Sequence, residues 1–447
     1  MKLFGGASGA RTAGGRSGSV SAVRTKAPKQ RNLFKPLAIV LAVVLFVECC
    51  WFFVVFTNNS LISYWRDAYI ETAMDTLNHK WLATAIFPQD LINKVTSRRA
   101  EALQSQIDLE STWGPVQTEE PEEVPEQTGP IEVEVDVTVV EQEDPEEAAR
   151  EAFYELFHEL DRESMDAYVA ENPQVLANGW AGIQINEAGQ DYKGIDVYTI
   201  HDEQVLAIDV PNQLLLVKVE GGGTIDFYQG VLAICKDASR LSLEVSSQLG
   251  AAGQYAGTIA GNNGGLLAIS ASGYDDPDGN GNGGLGAGYT KSNGEIFSSA
   301  HMGWGFKRLE LHDDNLFYIK DASSSVGDGT TDAMEFQPAL IIDGEIVVDA
   351  NCGWTGLHPR SCIGQSDKYE ILMLVIEGRM PTRSVGTHVI ECAEILKRHG
   401  CMQAMNMDGG TSAIMWYDGE YITKCNNSAL PSGRPMPNAW VYGKIEE

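Results

Sequence analysis

The residues best suited to hydrolytic chemistry lie together in one segment of the C-terminal half. The segment comprises Asn406, Met407, Asp408, Gly409, Gly410, Thr411 and Ser412. Asn406 and Asp408 are two residues apart at the end of an apolar run, so a strand would project both side chains from one face. The two glycines let backbone N–H groups approach a ligand closely, and the two hydroxyls can donate to an oxyanion. From spacing alone, a turn that merely ends a strand is an equally good interpretation.

The motifs around this segment resemble the phosphodiester glycosidase family over roughly residues 180–447. They are RSCIGQ (360–365), an apolar run ending in Glu377-Gly378-Arg379, SVGTHVIECAEILKRHG (384–400), NMDGGTSAIMWYDGEYITK (406–424) and RPMPNAWVY (434–442). The resemblance implies hydrolysis of a sugar-1-phosphodiester, with the glycosidic C1–O bond as the expected point of cleavage.

This implied chemistry assigns roles to charged residues of the matching motifs. A glycosyl phosphate leaves as a weak base, so general-acid help matters less than cations for the phosphate and carboxylates for an oxocarbenium-like sugar and its attacking water. Asp408 and Glu377 are the expected catalytic residues. Arg360 and Arg379 are the expected phosphate ligands, since a guanidinium binds phosphate with a planar fork, and Arg434 is a weaker candidate. A surface ion pair is the alternative for each arginine.

The predicted substrate-binding residues lie on two walls of a cleft. They are Arg360, Arg379, Asn406, Gly409, Gly410, Thr411, Ser412, Gly273 and Asp275. On the second wall, the run LAISASGY (267–274) departs from the family's Asn-Gly-Gly-Phe pattern. Ser270, Ala271 and Ser272 replace part of that pattern, whereas Gly273 and the aromatic Tyr274 are kept. The departure puts the substrate contacts on this wall in question.

A possible calcium site lies in the acidic loop YDDPDGNGNGG (274–284). Asp276, Asp278 and Asn280 match the opening of a calcium-binding loop. Pro277 interrupts the pattern and Ala287 stands where a bidentate glutamate should close it, which excludes an EF-hand. A looser Ca²⁺ site and a solvated or substrate-facing loop both remain open, and no other cofactor is expected.

Local patterns predict the elements that position these residues. Asn-Gly and Asp-Gly turns predict three β-hairpins: Tyr289–Phe297, Ala339–Val348 and Ile414–Thr423. Ile371–Ile376 is continuously apolar, as expected of a strand buried on both faces. A helix is expected over His388–His399, with Thr387 as N-cap and Gly400 as its C-terminal glycine. Together with the following apolar strand this makes a βαβ step.

The N-terminal part predicts a single-pass membrane anchor. Residues 1–35 hold eight Lys and Arg and no acid, and Leu37–Phe56 is an apolar run with one charge. Twenty helical residues at about 1.5 Å each span the hydrocarbon core, and the basic flank predicts a cytoplasmic N-terminus. A cleaved signal peptide is the alternative, although its apolar region should be shorter. We therefore expect a basic tail (1–35), an anchor (36–57) and an extracytoplasmic remainder at the cell membrane.

The remaining segments divide by composition. Residues 58–113 have the spacing of an amphipathic helix, residues 114–147 form an acidic, proline-containing linker, and residues 148–176 form a short helix. Residues 177–447 form the glycosidase-like domain. The expected fold class is α+β, with strand-dominated mixed sheets and few helices behind a transmembrane helix and a helical stalk.

Charge and cysteine content restrict the partners. Beyond residue 35 the chain carries 24 basic and 62 acidic residues, which argues against nucleic acid as a partner. Six cysteines beyond the apolar run, namely Cys235, Cys352, Cys362, Cys392, Cys401 and Cys425, permit disulfides but have no zinc-site spacing.

Two functions from different classes are consistent with these features. The first is an anchored hydrolase that cleaves a sugar-1-phosphodiester in an envelope, cell-wall or exopolysaccharide glycan. The second is a non-catalytic glycan-binding or scaffolding protein with the same fold. A sensor that recruits a membrane partner through residues 58–112 is a third possibility, and no motif identifies that partner.

Overall fold

The structure, a computed structural model, describes residues 34–76, 79–113, 144–276, 281–349 and 356–445. The chain divides into two compact units, Met1–Thr57 and Asn58–Glu447. In the first unit, helix α1 (Phe34–Phe56) contains a 22-residue stretch that is long and apolar enough to cross a bilayer. It coincides with the predicted anchor.

The second unit contains seven further helices among its described residues. They are α2 (Ser60–Asp75), α3 (Trp81–Thr84), α4 (Gln89–Gln106), α5 (Pro145–Leu156), α6 (Arg162–Glu171), α7 (Ala256–Asn262) and α8 (Val389–Arg398). Residues 58–113 thus form three helices within the same compact unit as the C-terminal domain, and the predicted short helix is a pair, α5 and α6. The predicted linker lies almost wholly outside the described residues.

Nineteen strands in the described residues confirm the strand-dominated α+β class. They are β1 (Gln184–Asn186), β2 (Val205–Asp209), β3 (Leu214–Gly221), β4 (Tyr228–Cys235), β5 (Leu241–Val245), β6 (Gly265–Ser270), β7 (Thr290–Ser292), β8 (Glu295–Ser298), β9 (Lys307–His312), β10 (Phe317–Asp321), β11 (Thr330–Phe336), β12 (Ala339–Ile342), β13 (Glu345–Ile346), β14 (Arg360–Ser366), β15 (Ile371–Ile376), β16 (Cys401–Asn406), β17 (Met415–Tyr417), β18 (Glu420–Tyr421) and β19 (Asn438–Gly443).

These strands form three antiparallel-paired sheets. A nine-stranded sheet has the order β1-β2-β3-β4-β15-β14-β16-β12-β13, and two five-stranded sheets have the orders β10-β9-β11-β7-β8 and β18-β17-β6-β19-β5. Strands β15 and β16 both pair antiparallel with β14, so they run parallel to each other and α8 connects them. This arrangement confirms the βαβ step, with β14 between its two strands.

The nine-stranded sheet is buried on both faces because its strands alternate their side chains between two cores. In β15, Leu372, Leu374 and Ile376 face the core shared with α5 and α8. The intervening Met373 and Val375 face the core shared with the five-stranded sheets. The continuously apolar sequence of β15 therefore reflects burial of both faces of the strand, as predicted.

The three hairpins form at the predicted turns. Their strand pairs are β7–β8, β12–β13 and β17–β18. The turn residues Asn293-Gly294, Asp343-Gly344 and Asp418-Gly419 all have positive φ, as a type I′ turn requires.

Helix α8 differs from its prediction at its start. The N-cap is His388 rather than Thr387, because Thr387 is still extended and exchanges backbone hydrogen bonds with His358. Gly400 follows the helix with φ +72°, as predicted. The five described cysteines beyond α1 are all free, and Cys352 lies outside the described residues.

Candidate active site

The candidate site lies where the ends of three strands from two sheets meet. Cys362 near the start of β14 pairs with Asn406 at the end of β16. Beyond β16, the Asp408 N–H donates to the Ala271 carbonyl at 3.0 Å, just after the end of β6. The Ser270 hydroxyl donates to the Asp408 carbonyl at 2.7 Å. Asp408 is therefore held at the junction of the nine-stranded sheet and the β6 sheet.

The two glycines after Asp408 allow close contact with the arginine wall. A Cβ on Gly409 would lie 2.8 Å from the Pro359 carbonyl oxygen. A Cβ on Gly410 would lie 3.3 Å from Nη1 of Arg379, and Gly410 has φ +62°. The Gly410 N–H donates to the Pro359 carbonyl at 3.0 Å. A side chain at either position would push the segment after Asp408 away from Pro359 or Arg379, so the glycines keep that segment against the arginine wall.

The surroundings of Asp408 favour its protonated form. Burial of the carboxyl raises the pKa of Asp408 to about 6, although a hydrogen bond with Ser412 and the charge of Arg434 oppose the shift. Asp408 is nevertheless partly accessible to solvent. A carboxyl with a pKa near working pH can exchange protons with a substrate or a water molecule.

Arg434 belongs to a neutralised cluster beside Asp408. Its guanidinium forms a bidentate ion pair with Asp276 at 2.5 and 2.7 Å. It also lies over the Tyr274 ring, 4.9 Å from the centroid. Since Asp276 already compensates the charge, Arg434 is better placed to orient the wall than to bind a phosphate.

Arg360 and Arg379 form the cationic part of the site. Arg360 is only 7% exposed and donates from Nε to the Thr387 carbonyl (3.1 Å) and from Nη2 to the Gly356 carbonyl (2.8 Å). Nη2 of Arg379 lies 2.9 Å from Nδ1 of His358, and the buried Nε of Arg379 has no hydrogen-bond partner among the described residues.

The two guanidinium groups are close enough to influence each other. Burial lowers the pKa of both, and the charge of Arg360 lowers the pKa of Arg379 further. Within the described part of the chain, neither forms an ion pair with a carboxylate. Buried cations without an anionic partner carry an uncompensated desolvation cost, which a bound anion would relieve.

Helix α2 supplies the carboxylate nearest to this pair. Oδ2 of Asp75 lies 3.3 Å from Nε2 of His358 and 2.8 Å from Nη2 of Arg99. Burial raises the pKa of Asp75, but its hydrogen bonds with His358 and Arg99 outweigh burial, and the net pKa is lowered. Burial also lowers the pKa of His358 to about 4.

Two further contacts hold α2 over the site. The Tyr64 hydroxyl lies 2.6 Å from Nε2 of His388, and the Leu357 N–H donates to the Thr72 hydroxyl at 3.1 Å. Helix α2 therefore covers the loop that leads into Arg360.

Comparison with known proteins relates this part of the chain to one family. Residues 257–442 match the family described as phosphodiester glycosidase. Over these residues the chain is similar to phosphodiester glycosidases.

Individual relatives are distant from this glycosidase-like domain. A prophage-derived uncharacterized protein of Bacillus subtilis is 26% identical over 110 residues, which cover 24% of this chain and only 17% of that protein. The catalytic domain of zebrafish N-acetylglucosamine-1-phosphodiester alpha-N-acetylglucosaminidase, auto-inhibited by its pro-peptide, matches with TM-score 0.45 and 16% identity. That match covers 59% of this chain and 88% of the zebrafish chain. A hypothetical protein from Synechocystis matches with TM-score 0.39 and 12% identity over 55% of this chain and 65% of its own.

Glu377, the second predicted catalytic residue of the glycosidase-like domain, is engaged inside the fold. Its buried carboxylate accepts hydrogen bonds from the Tyr192 hydroxyl at 2.7 Å and the Lys424 N–H at 2.6 Å, and it forms an ion pair with Arg383. Its catalytic role stays a prediction. These contacts instead favour a positioning role for the segment that leads to Arg379.

The other predicted substrate-binding residues are spread around the cleft. Asn406 is buried, and its Nδ2 donates to the Gln337 carbonyl at 2.9 Å. Ser412 is buried beside Asp408, whereas Thr411 is partly exposed. Gly273 packs against Phe336, and Asp275 is exposed.

Sequence reasoning missed Asp75 and His358, which lie near the two arginines, and Arg383, which pairs with Glu377. His358 directly precedes Pro359-Arg360, and its position beside a predicted phosphate ligand was a usable signal. Asp75 comes from a segment far away in the chain, and no local pattern links it to the cleft.

Of the three predicted calcium ligands, the structure describes only Asp276. Asp278 and Asn280 lie outside the described residues, and both carboxylate oxygens of Asp276 bind Arg434. A separate group, His158, Glu159 and Glu370, has metal-ligand spacing. Lys236 already occupies that group, with its Nζ 2.5 Å from Glu159 and 2.7 Å from Glu370, so it is a buried ion cluster.

Proposed function

We propose that this protein is a membrane-anchored, extracytoplasmic hydrolase that cleaves a sugar-1-phosphodiester bond in an envelope glycan. The observation that carries the proposal is the arrangement of Arg360 and Arg379. Arg360 is buried and Arg379 is half-buried, neither forms an ion pair with a carboxylate among the described residues, and Nη1 of Arg379 lies against Gly410 of the Asp408 segment. Such a pair suits a phosphate, and the family match supports this substrate class.

In this proposal the two walls bind different parts of the substrate. The phosphate oxygens lie against Arg360 and Arg379, whose positive charges stabilise the negative charge that develops as the C1–O bond breaks. The sugar lies toward Asp408 and Tyr274. Above pH 6 Asp408 is mostly ionised, so it can stabilise an oxocarbenium-like sugar and accept a proton from the attacking water. The phosphate is a good leaving group and needs little protonation.

Access to the cleft depends on α2 in this scheme. The charge of Asp75 acts on both Arg360 and Arg379. The Asp75 carboxylate and a substrate phosphate would therefore compete for interaction with the same two guanidinium groups. We infer that α2 moves away from the Gly356–His358 loop when substrate binds.

The location of the substrate follows from α1. If α1 spans the membrane with the basic tail inside, residues 58–447 face the envelope. Sugar phosphodiesters of that compartment include teichoic-acid-like polymers and phosphate-linked exopolysaccharides, which are the substrate class proposed here.

Hydrolysis is tested with the full chain in detergent and a GlcNAc phosphodiester, by measuring released sugar. We expect turnover, and a loss of about 10²- to 10⁴-fold in kcat/KM for Asp408→Asn, the size of effect typical of removing an acid–base group. Asp418→Asn is the matched control, because Asn-Gly keeps the type I′ turn between β17 and β18. Unchanged turnover in Asp408→Asn would refute the assignment.

A second candidate function is glycan binding without hydrolysis. The α2 cover over the cleft favours it, as do Ser270 and Ser272, whose hydroxyls bond within the fold to Asp408 and Asn438. Calorimetric binding of the same phosphodiester, with no sugar released by the wild-type chain, would support this function instead.

A further inference from the structure

The first helices of the Asn58–Glu447 unit expose an unusual number of large apolar side chains. On α2 and around α3, four of them are well exposed: Leu61 (66%), Tyr69 (40%), Trp81 (62%) and Ile86 (40%). The Tyr69 ring lies 5.9 Å from the ring of Phe87, so the exposed faces of α2 and of the segment after α3 are contiguous. We call residues 61–69 and 81–87 the apolar apron.

The charge around the apron differs from that of the rest of the unit. The segment His79–Pro88 reads HKWLATAIFP and contains one lysine and no acidic residue. Beyond residue 35, however, acidic residues outnumber basic ones by 62 to 24. A lysine beside exposed aromatic and aliphatic side chains suits the headgroup region of an anionic bilayer, where Trp and Tyr are enriched.

The covalent connection to α1 brings the apron to such a surface. Helix α1 ends at Phe56 and α2 begins at Ser60, so three residues separate them. The four steps from Phe56 to Ser60 span at most ~14 Å when extended. If α1 crosses the membrane, α2 therefore starts within that distance of the end of the spanning helix. A soluble protein partner gains no proximity from this connection.

We propose that the apolar apron docks on the outer surface of the lipid bilayer, which would hold the arginine cleft beneath α2 close to the membrane. The inference rests on the anchoring part of the proposed function and not on hydrolysis. Tyr64 and Asp75, on the same helix as Leu61 and Tyr69, contact His388 and His358 at the cleft. Docking therefore restricts the enzyme to phosphodiesters that reach the bilayer surface, such as lipid-linked glycans.

The test uses the full chain labelled with 5-fluorotryptophan, in nanodiscs of phosphatidylethanolamine and phosphatidylglycerol. The 19F signals of Trp51, Trp81 and Trp304 are assigned by their loss in the corresponding Trp→Phe variants. Trp51 lies within α1, and Trp304 is 51% exposed beside the opposite end of α4, where Gly305 packs on Leu103. Lipids with a nitroxide near the headgroup are then added.

Docking predicts loss of the Trp51 and Trp81 signals by paramagnetic broadening, with the Trp304 signal retained. Ile86→Glu should restore the Trp81 signal, whereas Ile296→Glu, at another exposed isoleucine on β8, should not. If Trp51 is broadened and Trp81 behaves like Trp304, the docking proposal is wrong and the anchor stands. If Trp51 is not broadened, the anchor fails and docking fails with it. Sugar release, measured on the same samples, reports separately on hydrolysis.

Discussion

At the scale of single residues, the site is defined by charges that the fold leaves uncompensated. Burial gives Asp408 a raised pKa, and the buried Arg360 and half-buried Arg379 have no carboxylate partner among the described residues. By contrast, Arg434 and Arg383 are neutralised by Asp276 and Glu377. Unpaired buried charges are costly for stability, and functional sites are where proteins keep them. This contrast separates the two expected phosphate ligands from the other arginines.

The pKa of Asp408 predicts opposite pH dependences for activity and stability. If ionised Asp408 acts as the base, kcat/KM should fall by about tenfold per pH unit below about 6. Its pKa in the folded chain lies above the ordinary value of 3.8, so its contribution to stability is fully present below 3.8 and is lost as pH rises through about 6. The Tm of Asp408→Asn minus that of the wild type should therefore increase between pH 4 and pH 7. A pH-independent difference would contradict this prediction.

The unpaired arginines predict a specific defect in anion binding. Arg379→Gln should lower kcat/KM by about 10- to 100-fold, the equivalent of one or two hydrogen bonds to a charged group. It should also weaken competitive inhibition by inorganic phosphate. Arg398→Gln, which removes a partly exposed arginine paired with Glu203 on the outer side of α8, is the control. Equal phosphate inhibition constants in the wild type and Arg379→Gln would exclude a phosphate contact.

At the scale of elements, short-range rules predicted the parts and long-range packing arranged them. The three hairpins formed where Asn-Gly and Asp-Gly supplied positive φ, and β15 formed as a doubly buried strand. Helix α2 also formed within a segment of predicted helical spacing. Its position over the arginine cleft depends on Tyr64, Thr72 and Asp75.

The cover formed by α2 predicts that weakening it increases activity. Asp75→Asn removes a negative charge from the field of both arginines and weakens the contacts with His358 and Arg99. A hydrogen bond to a charged group contributes about 1.5–3 kcal/mol, so weakening these contacts should let α2 leave the cleft more easily. We therefore expect kcat/KM for a small soluble phosphodiester to rise by up to about tenfold. Asp90→Asn, at an exposed position in the first turn of α4, should have no effect. A fall in activity for Asp75→Asn would show that Asp75 takes part in the reaction.

At the scale of the whole molecule, the helical segment 58–113 and the glycosidase-like domain belong to one compact unit. Trp113 donates to the Phe317 carbonyl at 2.6 Å, and Gln106 donates to the Val347 carbonyl at 2.8 Å. These partly buried contacts join residues more than 200 positions apart. Removal of residues 58–113 should therefore destabilise the domain as well as uncover the cleft.

The anchor predicts the fate of the N-terminus. An uncleaved α1 leaves residues 1–57 in the mature protein, so the intact mass of the purified chain should include them. The chain should also remain with membranes during alkaline carbonate extraction. A mature protein that begins after residue 56 would instead identify α1 as a cleaved signal peptide.

The sequence by itself determined the features that depend on neighbouring residues. The apolar span, the turn dipeptides, the alternating cores and the Asp-Gly-Gly segment follow from local backbone preferences and the periodicity of hydrophobic residues. Only the tertiary structure decided which charges are compensated, because ion pairs such as Glu377 with Arg383 and Arg434 with Asp276 depend on which loops meet. It also placed Asp75, from a helix almost 300 residues upstream, beside His358. Partner choice is a property of the packed chain, and it distinguishes Arg360 and Arg379 from Arg434, the third arginine considered for the site.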